Sequence, residues 1–165
     1  MQKRNWLLRD SFRCAFHGII HTVLTERNMR IHISSAALVL YFAYHMQFSS
    51  VEWCILTLAI GGVCAGEIFN TAIEHAIDAK TSEYHEFAKL AKDAAAGGEL
   101  VLAIMAAVLG LILFLQNGRI HTLLQICTSS WLRSSALAVY IIIALWFIFS
   151  EKNKRDGGKK IDSEV

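Results

Sequence analysis

Apolar positions in this chain fall into four long runs joined by shorter polar connections, preceded by a stretch where apolar and basic residues alternate with helical period. In that stretch, 5–30, Leu8, Phe12, Phe16, Ile19 and Val23 step by three or four, and Arg9, Arg13, His17 and His21 form a neighbouring stripe. A helix apolar on one face and basic on the other, with Trp6 near its start, has the pattern of one lying in a membrane interface. A soluble helix packed on a partner shares that periodicity. His17 and His21 have metal-ligand spacing, but on a polar face they read as solvated. The first apolar run covers 33–48, with Tyr41, Phe42, Tyr44 and His45 gathered where an aromatic belt would lie. The second, 53–78, is long enough at about 1.5 Å per residue to cross the hydrocarbon and project beyond it. Its Gly61, Gly62, Ala65 and Gly66 would let a neighbouring helix approach closely. A polar segment from Lys80 to Asp93 precedes the third run, 98–115. A loop from Gln116 to Ser130 then leads to a fourth run, Leu132 to Phe149, with Trp131 and Trp146 near its ends. The basic tail, 151–165, is read as disordered.

Composition agrees with this pattern. Of 165 residues, 55% are hydrophobic and 18% charged, and the mean hydropathy of +0.41 suits a small multi-span membrane protein. A formal net charge of +2 and the lack of a basic stripe with interleaved aromatics argue against a nucleic-acid partner. The four cysteines show neither zinc-ligand spacing nor a disulfide framework. The N-terminal residues lack the long apolar core of a secretory signal, so no cleavage is expected. Proline is absent, which favours uninterrupted helices. Basic residues in the N-terminal stretch, the Lys80–Lys92 segment and the tail place all three on the cytoplasmic side. The fold class read from this is an all-α membrane protein: a surface helix over 5–30, three core transmembrane helices over 33–48, 53–78 and 98–115, and an extra loop and fourth transmembrane helix within 117–150.

The chemistry concentrates between Glu67 and Asp93. Glu67, Asn70, Glu74 and Asp78 stand at i, i+3, i+7 and i+11, so on one helix they share a face. Carboxylates at that depth are costly, by about 2.5–3.5 kcal/mol each at a helix centre on insertion scales. A polar cluster that locks helix packing would explain them. So would a site for divalent metal and phosphate at the membrane surface.

The pattern E-I-F-N-T-A-I-E-x-x-x-D from Glu67, S-E-Y-H-E from Ser82 and A-K-D-A-A-A-G from Ala91 resembles the signature of the prokaryotic diacylglycerol kinase/undecaprenol kinase family. T-E-R-N-M-R-I-H from Thr25 and S-F-R-C-A-F-H-G-I from Ser11 extend the resemblance, which covers about Ser11 to Leu115. It implies a small integral-membrane kinase, assembled as a homotrimer in the bacterial cell membrane with its site at the cytoplasmic face. Such an enzyme moves the γ-phosphate of Mg-ATP to the hydroxyl of a membrane lipid. Carried over by position, Glu67 matches the catalytic base, and Glu26 and Glu74 match the carboxylates that hold Mg2+. Asn70 and Asp78 match supporting polar residues. Glu83, Tyr84 and His85 match the loop near the ATP, and Lys92 and Asp93 a pair near its phosphates and ribose. Magnesium's preference for oxygen ligands and the demand of phosphoryl transfer for positioning and charge neutralisation fit these residue types. For the family's arginine near the adenine, Arg9 and Arg13 are both candidates. The segment beyond Gln116 has no counterpart in the family's three-helix core.

Arg27, Asn28, Arg30, His32 and Ala96 favour the undecaprenol kinase branch, with diacylglycerol kinase as the alternative. A transporter using the carboxylates as a proton relay, or a scaffold whose polar face fixes oligomer state, would account for the buried charges. Neither explains why S-E-Y-H and A-K-D stand beside them.

Overall fold

The computed structural model describes residues 8–80 and 84–150. The tail 151–165, the first residues of the expected surface helix, and Glu83 lie outside that range. Among the described residues there are helices and no strands: α1 Leu8–Thr25, α2 Arg27–His45, α3 Ser50–Asp78, α4 Glu86–Leu115, a 3-10 turn Gln116–Gly118, α5 Arg119–Thr128 and α6 Trp131–Phe149. Three of them, α3, α4 and α6, are long and apolar enough to cross a membrane. The chain is an all-α membrane protein.

Several helix ends differ from the periodicity. The stretch expected to form one helix over 5–30 breaks at Glu26, whose backbone is extended (φ −97°, ψ 123°), and α2 starts at Arg27. Just before the break, the hydroxyls of Thr22 and Thr25 donate to the carbonyls of Gly18 and His21 at 3.1 and 3.0 Å. Side chains bonded to the backbone in this way bend a helix. Buried Thr22 and Met29 pin the corner from either side, so Glu26 occupies a bend instead of a helix face. The first expected span, 33–48, falls largely in α2, which is not among the three long apolar helices. Arg27, Arg30, His32, Ser34 and Ser35 dilute its apolar run.

Helix α3 begins three residues before the apolar run because Ser49 and Glu52 form a reciprocal capping box. Helix α4 begins at Glu86, far ahead of the expected start at 98, and passes through Gly97 and Gly98 without interruption. Glycine in a helix interior costs only about 1 kcal/mol relative to alanine, and long apolar turns on the C-terminal side offset that. The expected loop between Gln116 and Ser130 is helical over ten of its residues.

Helices α3 and α4 pair most extensively, as antiparallel neighbours. They pack tightly at Gly66, where an added Cβ would meet Leu102 Cδ1 at 2.6 Å and the Cα of Glu99 at 3.7 Å. Gly61 and Gly62, expected to serve the same purpose, have open space around them within the protomer. At one end of the pair, Lys92 forms an ion pair with Asp78. At the other, the Glu52 carboxylate accepts from Arg119 at 2.6 and 3.1 Å and from Gln116 at 2.6 Å. Arg119 also donates to the Leu113 carbonyl and lies 4.4 Å over the Phe48 ring. Beneath this lock, Ala43, Met46, Phe48, Leu56, Leu113 and Ile126 form the buried apolar core. Helix α6 runs antiparallel to α2. Tyr140 Oη donates to the Ser34 carbonyl at 2.5 Å, and Arg30 Nη1 donates to the carbonyls of Phe147 and Ser150 at 3.2 and 2.5 Å.

Two comparisons check these contacts by thermal unfolding in detergent micelles. Ser49→Ala removes one cap and should cost about 1 kcal/mol, whereas Glu52→Ala also strands Arg119 and should lower the midpoint further. The reverse order would mean that the α3–α5 lock carries no stability. Gly66→Val overpacks the α3–α4 contact and should cost about 1–3 kcal/mol, while Gly110→Val, which meets nothing within 4 Å, should cost less. Equal losses would remove Gly66 as the point of close approach.

Candidate functional site

The shared face of α3 descends from the interior to the surface. Glu67 is 1% exposed and Asn70 8%; Glu74 is half-buried and Asp78 exposed. A glutamate at this depth is held by its own helix and by α4 pressing on Gly66 next to it. The Thr71 hydroxyl donates to the Glu67 carbonyl at 2.9 Å, and Asn70 Nδ2 donates to Glu74 Oε1 at 3.4 Å. Two oxygens on this face, Glu67 Oε2 and Asn70 Oδ1, are buried with no hydrogen-bond partner. Leaving such groups unpaired costs about 1–3 kcal/mol each, more when charged. A native fold retains them where an ordered water, a ligand or an ion completes them, or where they serve in chemistry.

Helices α2 and α4 bring further polar groups to the same place. His32 Nε2 lies 3.0 Å from Glu99 Oε1, and donor atoms of His32, Glu67 and Glu99 all lie within 4.8 Å of one another. Glu99, Glu26 and Glu74 are near enough to act electrostatically on Glu67. Sequence reasoning did not single out Glu99 and used His32 only as a branch marker. A signal for Glu99 existed: it stands at i+7 from Lys92, on the same face of α4, and opens the third apolar run.

The expected set is only partly gathered. Glu26, Glu67, Asn70 and Glu74 converge around the buried face. Lys92 turns to Asp78, and Asp93 is exposed. Tyr84 and His85 are exposed at the start of α4, where the His85 ring packs 5.8 Å from Phe87. Glu83 lies outside the described residues. Arg9, Arg13 and His17 are exposed on α1. His21 departs from the solvated reading: its ring meets His75 edge-on at 5.3 Å, which packs α1 against α3.

Glu26, at the bend, and Glu74 both lie near enough to act on Glu67. Asn70, bonded to Glu74, keeps its amide oxygen unpartnered, so the donors these three bring near this face of α3 are all oxygens. That is the set magnesium prefers, since it binds through one or two carboxylates and keeps waters or phosphate oxygens for the remainder. The residues present therefore fit such an ion. Beside them, an apolar cavity of about 660 Å³ runs between α2, α3 and α4. His32 stands at its start, and Phe42, Phe114 and Leu123 line its far end. Glu67 does not line this cavity but lies beside His32, which does, so an amphiphile in the groove can bring its polar end toward Glu67.

Residues 13–114 match the family described as prokaryotic diacylglycerol kinase. The chain is similar to an undecaprenol kinase of Bacillus subtilis, with 45% identity over 114 residues, which is 68% of this chain and 93% of that protein. It is also similar to a diacylglycerol kinase of Synechocystis sp., with 38% identity over 101 residues, 61% of this chain and 58% of that protein. No solved structure matches. Helices α5 and α6 lie beyond the family match.

Proposed function

Because the chain belongs to the prokaryotic diacylglycerol kinase family, and is thus a membrane lipid kinase with an alcohol acceptor, we propose that its reaction is the transfer of the γ-phosphate of Mg-ATP to undecaprenol. The product would be undecaprenyl phosphate. The observation that carries the chemistry is Glu67: a carboxylate 1% exposed, with one oxygen unpartnered, beside the His32 that lines one end of an apolar groove. In this role it accepts the proton of the lipid hydroxyl as the hydroxyl oxygen bonds to the γ-phosphorus and the bond to the leaving ADP oxygen breaks. Glu26 and Glu74 would hold magnesium, which when bound neutralises phosphate charge. Asn70, bonded to Glu74, orients that carboxylate and offers its free oxygen to the same site. Lys92, Asp93, Tyr84, His85 and Glu83 would take the nucleotide, with Lys92 leaving Asp78 to meet phosphate.

The choice of undecaprenol is supported by the higher identity and fuller coverage of the undecaprenol kinase. The apolar groove from His32 to Leu123 suits isoprenoid units. Diacylglycerol is the second reading, supported by the Synechocystis sp. relative. We place the site at the cytoplasmic face of the bacterial membrane, where ATP is present and where Lys80, Lys89 and Lys92 cluster at the α3–α4 turn. Assembly as a homotrimer is part of the proposal. Open space at Gly61 and Gly62 leaves room for a neighbouring helix.

Labelled γ-phosphate transfer from Mg-ATP in mixed micelles, with undecaprenol and diacylglycerol side by side, tests the substrate. Preferential labelling of undecaprenol is expected; preferential labelling of diacylglycerol would move the role to phospholipid turnover. Glu67→Gln should reduce turnover by at least about 10²–10⁴-fold with ATP binding retained. Turnover within a few-fold of the unsubstituted protein would remove Glu67 as the base. Glu74→Gln should raise the magnesium concentration needed for half-maximal rate, and an unchanged requirement would exclude Glu74 from the metal.

A further inference from the structure

We propose that His32, Glu67 and Glu99 form a second cation site, selective for a zinc-class ion, through which such an ion silences the kinase. The site itself stands on geometry alone; its inhibitory consequence rests on the reading of Glu67 as the base. The three side chains come from α2, α3 and α4, and one donor atom of each lies within 4.8 Å of the others. His32 Nε2 and Glu99 Oε1, 3.0 Å apart, already have roughly the mutual spacing of two ligands on one tetrahedral ion with bonds of about 2.0–2.2 Å. A modest swing of the Glu67 carboxylate brings it to the same point. Close approach of α4 at Gly66 fixes the backbones of Glu67 and Glu99 against each other.

The cluster is more than acidic residues in proximity. Glu67 is 1% exposed, and its Oε2 has no partner; the side chains of His32 and Glu99 are 18% and 12% exposed. The Glu67 carboxyl meets Glu99, which also meets His32, and this packing still leaves the buried Oε2 of Glu67 without a partner. Two carboxyl groups converge on one imidazole in an apolar surrounding, with Glu26 and Glu74 nearby. A divalent cation would bind all three donors at once.

Donor chemistry separates this site from the one for magnesium. One imidazole nitrogen with two carboxylates suits zinc and its transition-metal neighbours, whereas magnesium prefers oxygen alone. Glu67 and Glu74 are seven residues apart on α3, about 10 Å along the helix, so the two sites are distinct. An ion on Glu67 occupies the lone pairs that would accept the hydroxyl proton. Phosphate transfer stops while the nucleotide site stays intact.

The test uses the full chain in nanodiscs, freed of metal. Titration with Co2+ should give visible ligand-field absorption at one equivalent per chain. Zn2+ should abolish the signal, and a large excess of Mg2+ should leave it in place. His32→Gln and Glu99→Gln, checked for helical circular dichroism and elution volume, should each weaken Co2+ binding at least tenfold. Zinc should lower kcat in the unsubstituted protein with little change in the KM for ATP. In either variant, scaled to its own zinc-free activity, the inhibition midpoint should rise at least tenfold. Absent Co2+ binding, binding unchanged in both variants, or zinc inhibition that the variants do not shift would each overturn the proposal. Lipid phosphorylation in the zinc-free Mg-ATP assay tests the kinase reading separately, because the Co2+ spectrum does not depend on it.

Discussion

Glu67 can be buried only because α4 comes within side-chain contact of α3 at Gly66, one residue away. Between two apolar helices, a carboxylate with an open oxygen is a costly group to bury. Everything around it reduces that cost or makes use of it. Thr71 secures the turn that carries it, Asn70 and Glu74 continue its face toward the surface, and α2 delivers His32 beside Glu99. The contact at Gly66 thus sets both the packing and the polarity of the site. A larger residue there would separate Glu67 from the α4 groups that meet it.

In a bilayer, apolar side chains gain little by meeting each other instead of lipid, so packing and polar anchors decide how helices are matched. The α3–α4 pair shows this division. Lys92 with Asp78 closes one end, Glu52 with Arg119 and Gln116 closes the other, and the close contact at Gly66 lies between them. Sliding one helix past the other would break both end pairs. The register that places Glu99 opposite Glu67 is therefore held from outside the site.

Legibility in the sequence followed the range of each interaction. Glu67, Asn70, Glu74 and Asp78 were readable because one helix carries all four, and its period alone puts them on one face. Glu99 and His32 belong to other helices, and no period within α3 says which face of α4 or α2 will meet it. Helix ends were the least readable. Gly97 and Gly98 looked like a boundary, yet α4 runs through them because the apolar turns beyond outweigh two glycines. The bend at Glu26 has no glycine or proline to announce it. Helix α5 lay hidden in a weakly patterned stretch whose stability comes from Arg119 reaching back to Glu52, 67 residues earlier.

Arg30 binds the last carbonyls of α6 across sequence separations of 117 and 120 residues. Helix α2 is made well before its partner α6, the last helix among the described residues. Until α6 is made, the side of α2 that carries Arg30 and the Ser34 carbonyl has no α6 to meet. Pairings this distant in sequence come late because closing the intervening chain must precede any gain from the contact. The contacts that join α6 to α2 therefore close the longest loop among the described residues, around the family-matching portion of the molecule.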